Sequence, residues 1–127
     1  MASLMNALDK SLDLRQRTKS YAIRIVRLYR SLPHSSDAQV LGKQLLRSGT
    51  SVAANYRAAC RARSRAEFIS KISIVLEEAD ESAFWLELLG ETEVVLPEKL
   101  ATLVRETNEL TAIFGATLRT SKSGVNH

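Results

Sequence analysis

Cysteine occurs once in this chain, at Cys60, so no internal disulfide is available to hold the fold. That scarcity suits a reducing compartment, and a cytoplasmic location is expected. Histidine occurs twice, at His34 beside a proline and at His127, which is too little for a His-rich metal site. No apolar run approaches the roughly 18 residues of a membrane span, and no membrane association is expected. The stretch before Asp9 and Lys10 lacks the apolar core of a signal peptide. Glycine and proline are few, five and two, and no alternating strand pattern is sustained, which argues against sheet architectures. Neither a glycine-rich phosphate loop nor a nucleophile elbow is present.

What the chain has is helical periodicity and a charge split that follows its order. At 127 residues it suits one domain, 1–127, and 45% hydrophobic residues exclude global disorder. From Arg15 to Arg65 there are twelve Lys/Arg against Asp37 alone, a net of +11. From Ala66 to Glu109 eleven Asp/Glu face Lys71, Lys99 and Arg105, a net of −8. The ends add +1, so an overall +4 conceals a basic first half and an acidic second half. Such asymmetry points to internal charge matching, to a polyanionic partner, or to both.

Four helices are predicted, over about 10–32, 37–62, 65–90 and 97–118, with a frayed polar tail at 119–127. In the first, Leu14, Thr18, Tyr21, Ile25, Leu28 and Leu32 form one stripe that Pro33 ends. Arg17, Arg24, Arg27 and Arg30 fall off this stripe and are expected to be solvated. Ser35-Ser36-Asp37 offers N-cap oxygens to the second helix, whose stripe is Ala38, Leu41, Leu45, Ser48, Val52, Asn55 and Ala59. Its small residues permit a close neighbour, although Ser48-Gly49-Thr50-Ser51 argues locally for a break. Ser64 and Glu67 make a capping box for the third helix, with a stripe of Phe68, Ile72, Val75, Ala79, Ser82 or Ala83, Leu86 and Leu89. Gly90 reads as its C-cap. Pro97 opens the fourth, where Leu96, Leu100, Leu103, Thr107, Leu110 and Phe114 continue the pattern. Four amphipathic helices on short connections predict an all-α, antiparallel up-down-up-down four-helix bundle. The third helix is apolar around most of its circumference from Phe84 to Leu89. A second burial surface is therefore expected, supplied by another subunit and centred on Phe84, Trp85 and Leu88.

The run Leu41-Gly42-Lys43-Gln44-Leu45-Leu46-Arg47-Ser48-Gly49-Thr50-Ser51-Val52-Ala53-Ala54-Asn55-Tyr56-Arg57 carries a family resemblance. It continues through Arg61, Arg63-Ser64-Arg65-Ala66-Glu67-Phe68, Leu76-Glu77-Glu78-Ala79-Asp80-Glu81 and Trp85-Leu86-Glu87-Leu88-Leu89. The chain resembles the bacterial four-helix bundle proteins encoded within intervening sequences of 23S ribosomal RNA genes, over about Tyr21 to Phe114. The accessory variability proteins of diversity-generating retroelements are relatives of that family. The resemblance implies a homo-oligomeric ring, typically a homopentamer, with no enzymatic activity established for the family. The retroelement relatives imply a nucleic-acid-binding adaptor that associates with a reverse transcriptase.

Lys43, Arg47, Arg57 and Arg61 are spaced to share one face of the second helix, and Arg63 and Arg65 extend that charge into the next turn. A basic surface of this kind, shared by the first and second helices, attracts RNA or DNA phosphates in a salt-dependent way and encodes no base reading. The competing reading pairs Arg47 and Arg61 with Glu77, Glu78, Asp80 and Glu81 and leaves a protein-interaction scaffold. A helix-turn-helix match over Gln44–Ala53 is superficial, because Leu45 stands where that motif needs a small residue. A dimetal bundle would need Glu-x-x-His pairs, and the chain has none. Cys60 has cationic neighbours but no histidine base, so it reads as packed rather than nucleophilic. Trp85 and Tyr56 lie beside core stripes and read as packing or subunit contacts rather than base-stacking platforms. Asn55 reads as a partner for a buried backbone or interhelical hydrogen bond. The expectation is a non-enzymatic protein with no metal and no cofactor.

Overall fold

The structure, a computed structural model, describes residues 2–124, with side chains from Asp9 onward. It contains four helices, α1 (Ala2–Ser31), α2 (Ser36–Cys60), α3 (Arg65–Glu91) and α4 (Pro97–Ser123), and no strand among the described residues. α1 packs against α2, α2 against α3 and α3 against α4, whereas α1 and α4 meet sparingly.

Two ends differ from the expected boundaries. α1 already begins at Ala2, well before residue 10. α4 continues through Arg119 to Ser123, where a frayed tail was expected; residues 125–127 of that tail lie outside the described residues. The extra turn has partners. The Arg65 guanidinium donates through Nε and Nη2 to the Ser121 carbonyl. Gly124, at φ 70°, then supplies the left-handed residue that closes a helix at low steric cost.

The other helix ends show how local chemistry sets boundaries. Ser35 is the N-cap of α2 by geometry but makes no capping bond; Asp37 Oδ1 instead accepts from the Ala38 amide at 2.9 Å. The Ser35 hydroxyl and then that amide hold the Asp37 carboxyl below its ordinary range. At α3, Ser64 Oγ accepts from the Glu67 amide at 3.0 Å, and Glu67 reaches back to the Arg63 amide rather than to that of Ser64. Pro97 occupies the first turn of α4 as expected. Gly90 does not end α3: it is buried within the helix, and Thr92 is the C-cap.

The core is drawn from the four expected stripes, with Ser82 rather than Ala83 facing inward. Leu96, at 48% exposed, and the half-buried Asn55 are stripe positions that stay outside it. α2 runs unbroken through Ser48–Ser51 because Gly49 is buried against Ile25, so tertiary contact overrides low helix propensity. Each helix also places a polar side chain inside: Thr18, Ser48, Ser82 and Thr107 are buried. The Tyr21 hydroxyl lies 2.7 Å from Thr107 Oγ1, and Ser82 Oγ donates to Ser48 Oγ at 2.8 Å. Among the described residues, every buried side-chain polar atom has a hydrogen-bond partner, as a stable interior requires.

Candidate functional site

The basic first half of the sequence becomes α1, α2 and the turn after them, and the fold divides its cations into two groups. The first group is committed to acids. Arg17 forms a two-pronged bond to Glu106, Nε to Oε2 at 2.8 Å and Nη2 to Oε1 at 2.7 Å, and a further contact to Glu109 at 2.9 Å. The Glu106 hydrogen bond chiefly raises the Arg17 pKa, so this cation is held charged. Arg17 is therefore not the solvated residue its position off the α1 stripe implied. Arg24 also turns to α4 but meets no acid there, donating to the neutral Thr102 Oγ1 at 2.9 Å. Arg47 clamps α3 through Glu78 and Glu81. That contact lowers the Glu81 pKa, and the Trp85 indole donates to the same carboxylate at 3.3 Å.

The second group has no acid. Among the described residues, the ion pairs are those of Arg17 and Arg47, so Arg15, Lys19, Lys43, Arg57 and Arg61 form none. Arg61 thus lacks the pairing expected for it. Lys43, Thr50 and Arg57 follow at intervals of seven, two turns apart, and Arg61 adds one more turn on the outer side of α2. All three cations are exposed. Facing them across the seam with α1 are Arg15, half-buried, and Lys19, exposed. The seam opens into a groove of about 600 Å³ lined by Leu12, Arg15 and Lys19 from α1 and by Thr50, Ala54 and Arg57 from α2. No carboxylate lines it.

Of the six cations singled out from sequence, only Arg57 lines this groove. Lys43 and Arg61 sit on the same outer face of α2, beyond the groove, while Arg47 turns to α3. Arg63 and Arg65 are exposed in and after the α2–α3 turn, with Arg65 tied to α4. Arg15 and Lys19 were not singled out, although they stand four apart in the same acid-poor stretch and so share a helix face.

The residues expected at a subunit contact lie on α3. Phe84 is 49% exposed and meets Trp85 edge-on, with ring centroids 5.0 Å apart. Trp85 and Leu88 are half-buried. Tyr56 is buried in the core, 5.3 Å from the Phe114 ring, and burial pushes its hydroxyl up to about 12. Cys60 is half-buried, 3.4 Å from Ser11 Oγ. Asn55 stays within α2, donating to the carbonyl and hydroxyl of Ser51. Among the described residues, no three His, Cys, Asp or Glu side chains converge as a metal site would need. No described helix is long and apolar enough to cross a membrane.

Comparison with known proteins narrows the reading to a family. The chain is similar to a crystal structure from Bacteroides thetaiotaomicron, described as a protein of unknown function from the S23 ribosomal protein family. The two share 39% identity over 87% of this chain and 99% of that one, with a TM-score of 0.81. No curated protein matches. The family model for the 23S rRNA-intervening sequence protein matches residues 10–116. The chain belongs to the 23S rRNA-intervening sequence protein family.

Proposed function

We propose that this protein is a non-enzymatic adaptor that holds nucleic-acid phosphates on the outer face of α1 and α2. The observation that carries the reading is the acid-free cationic surface: Arg15, Lys19, Lys43, Arg57 and Arg61 remain uncompensated while Arg17 and Arg47 satisfy nearby acids. Ion pairing therefore uses a minority of this positive charge and leaves Arg15, Lys19 and Arg57 gathered at one seam, the footprint of a polyanion partner. Arg63 and Arg65 extend the field at the end of α2.

The helices are read as an antiparallel up-down-up-down bundle, which accords with Ser11 meeting Cys60 while Ile25 meets Gly49. Copies of the bundle associate through Phe84, Trp85 and Leu88 into a ring, a pentamer by analogy with the family resemblance. Repetition of the basic face around a ring multiplies its field and adds avidity. The working location is the cytoplasm. The implied protein partner processes nucleic acid, a reverse transcriptase if the kinship with retroelement accessory proteins extends to this chain.

A second reading, a protein scaffold without nucleic-acid binding, draws support from the Arg47 clamp on Glu78 and Glu81. The two readings separate in a salt-titrated anisotropy measurement with labelled RNA and DNA. The adaptor requires binding that weakens steeply with salt and is lost when Arg57→Glu and Arg61→Glu are combined in a folded variant. Indifference to nucleic acid at low salt refutes it and leaves the scaffold.

A further inference from the structure

The groove between α1 and α2 has a shape and a hydrogen-bonding pattern more selective than a merely positive surface. Resting on the phosphate-binding reading above, we infer that its ligand is a single strand, and that a ribose backbone suits it better than a deoxyribose one.

The shape argument comes first. The groove is the seam between two packed helices, whose axes lie about 8–10 Å apart in such packings. A nucleic-acid duplex is far wider and would ride on the outer ridge at Lys43 and Arg61 without reaching the floor. The floor is built from small side chains, Ala53, Ala54 and Thr50, so a slender chain can descend between the cations. Arg15 and Lys19 stand one turn apart on one wall, about 6 Å along the axis, with Arg57 on the other wall. That spacing suits successive phosphates of an extended strand. No aromatic side chain lines the groove. Bases consequently have no stacking platform, and the strand is held by its backbone whatever its sequence.

The sugar preference rests on Thr50. Thr50 lines the groove, and its hydroxyl donates to the Leu46 carbonyl at 2.7 Å, so to any group entering the groove its oxygen offers only an acceptor. A phosphodiester has no proton to offer it, whereas a ribose 2′-hydroxyl does. The groove thus offers charged donors for phosphate and one acceptor for the sugar. A deoxyribose strand satisfies the first and leaves the second unanswered.

The test measures affinities for one oligoribonucleotide, its deoxyribo equivalent and the corresponding RNA duplex, at one low salt concentration. The single RNA strand should bind most tightly, by roughly 2–10-fold over DNA, the worth of one neutral hydrogen bond, and the duplex should bind weakest. Thr50→Val keeps the side-chain shape and should abolish the RNA advantage while leaving DNA affinity in place. Lys19→Glu, at an exposed position that folding does not use, should weaken both strands by at least about tenfold, since it replaces a phosphate contact with repulsion. Circular dichroism of each variant checks that the fold is retained, and the milder Lys19→Gln serves if Lys19→Glu disturbs it. Equal affinity for RNA and DNA, a duplex bound as tightly as the single strand, or wild-type affinity in the Lys19 variant overturns this inference. Each of those leaves nucleic-acid binding itself intact. No binding by any strand at low salt overturns both.

Discussion

Gly49 is a close approach of α1 to α2 that one added atom can test. An alanine Cβ built there would stand 2.7 Å from Ile25 Cγ1 and 2.9 Å from Cγ2, well inside van der Waals contact. Ile25 is 0% exposed and β-branched, so neither a rotamer change nor solvent offers it an exit. Gly49→Ala must therefore push the two helices apart or displace Ile25 into a filled core. Two contacts under 3.0 Å to a β-branched side chain put the overpacking cost in the upper part of its usual range, about 2–3 kcal/mol, while replacing a mid-helix glycine by alanine returns about 1 kcal/mol of helix propensity. The net expectation is a loss of about 1–2 kcal/mol, or roughly 4–8 °C in Tm for a chain of this size. Gly90→Ala is the matched control. Its Cβ would lie 3.6 Å from Leu100 and 3.9 Å from Pro97, ordinary contacts, so only the propensity gain remains and Tm should rise by a few degrees. Thermal and urea unfolding followed by circular dichroism, at matched protein concentration because association shifts Tm, reads both. Gly49→Ala should also cost less in an Ile25→Ala background than in the wild type, a coupling that a double-mutant cycle isolates. A Gly49→Ala protein as stable as the wild type would refute the argument that this glycine exists for helix approach.

Two further expectations concern hydroxyl groups in the interior. Burial raises the Tyr56 hydroxyl to about 12 from its ordinary 10, so its contribution is fully present below pH 10 and lost as pH rises from there through 12. Stability measured across that window should fall, and Tyr56→Phe should flatten the decline; an unchanged alkaline limb in the variant would count against the assignment. The hydrogen bond between Tyr21 and Thr107 should show an asymmetry, because Thr107 also donates to the Leu103 carbonyl at 2.8 Å. Tyr21→Phe leaves Thr107 satisfied and should cost about 0.5–1.5 kcal/mol, whereas Thr107→Val strips the Tyr21 hydroxyl of its acceptor and should cost about 1–3 kcal/mol. Denaturant unfolding giving the reverse order would show that Tyr21 finds another partner.

Most of the fold could be read from the chain because helix stripes and turn chemistry are local. Leu45, Val52 and Ala59 recur every seven residues, two helical turns, and Ser64, Glu67 and Pro97 mark starts within a few residues of the elements they open. The misreadings share a different cause: each depends on what a distant segment brings. Gly90 looks like a terminator in isolation, yet it is buried because α4 returns over it. The α4 tail looks too polar to stay ordered, yet Arg65, fifty-six residues earlier, ties down its last turn. The candidate site follows the same logic. A charge tally finds the acid-poor half but cannot tell a committed cation from a free one. Arg47 and Arg57 are similar in sequence terms, and only the approach of α3 makes one a clamp on Glu78 and Glu81 while the other borders an open groove. The groove itself belongs to neither helix, since Arg15 and Lys19 become its wall only when α2 lays Thr50, Ala54 and Arg57 beside them. Binding surfaces assembled from two elements are thus the feature a one-dimensional reading is least able to find. For the same reason, substitutions at Lys19 and Arg57 discriminate between functional readings better than changes to the arginines conspicuous in sequence.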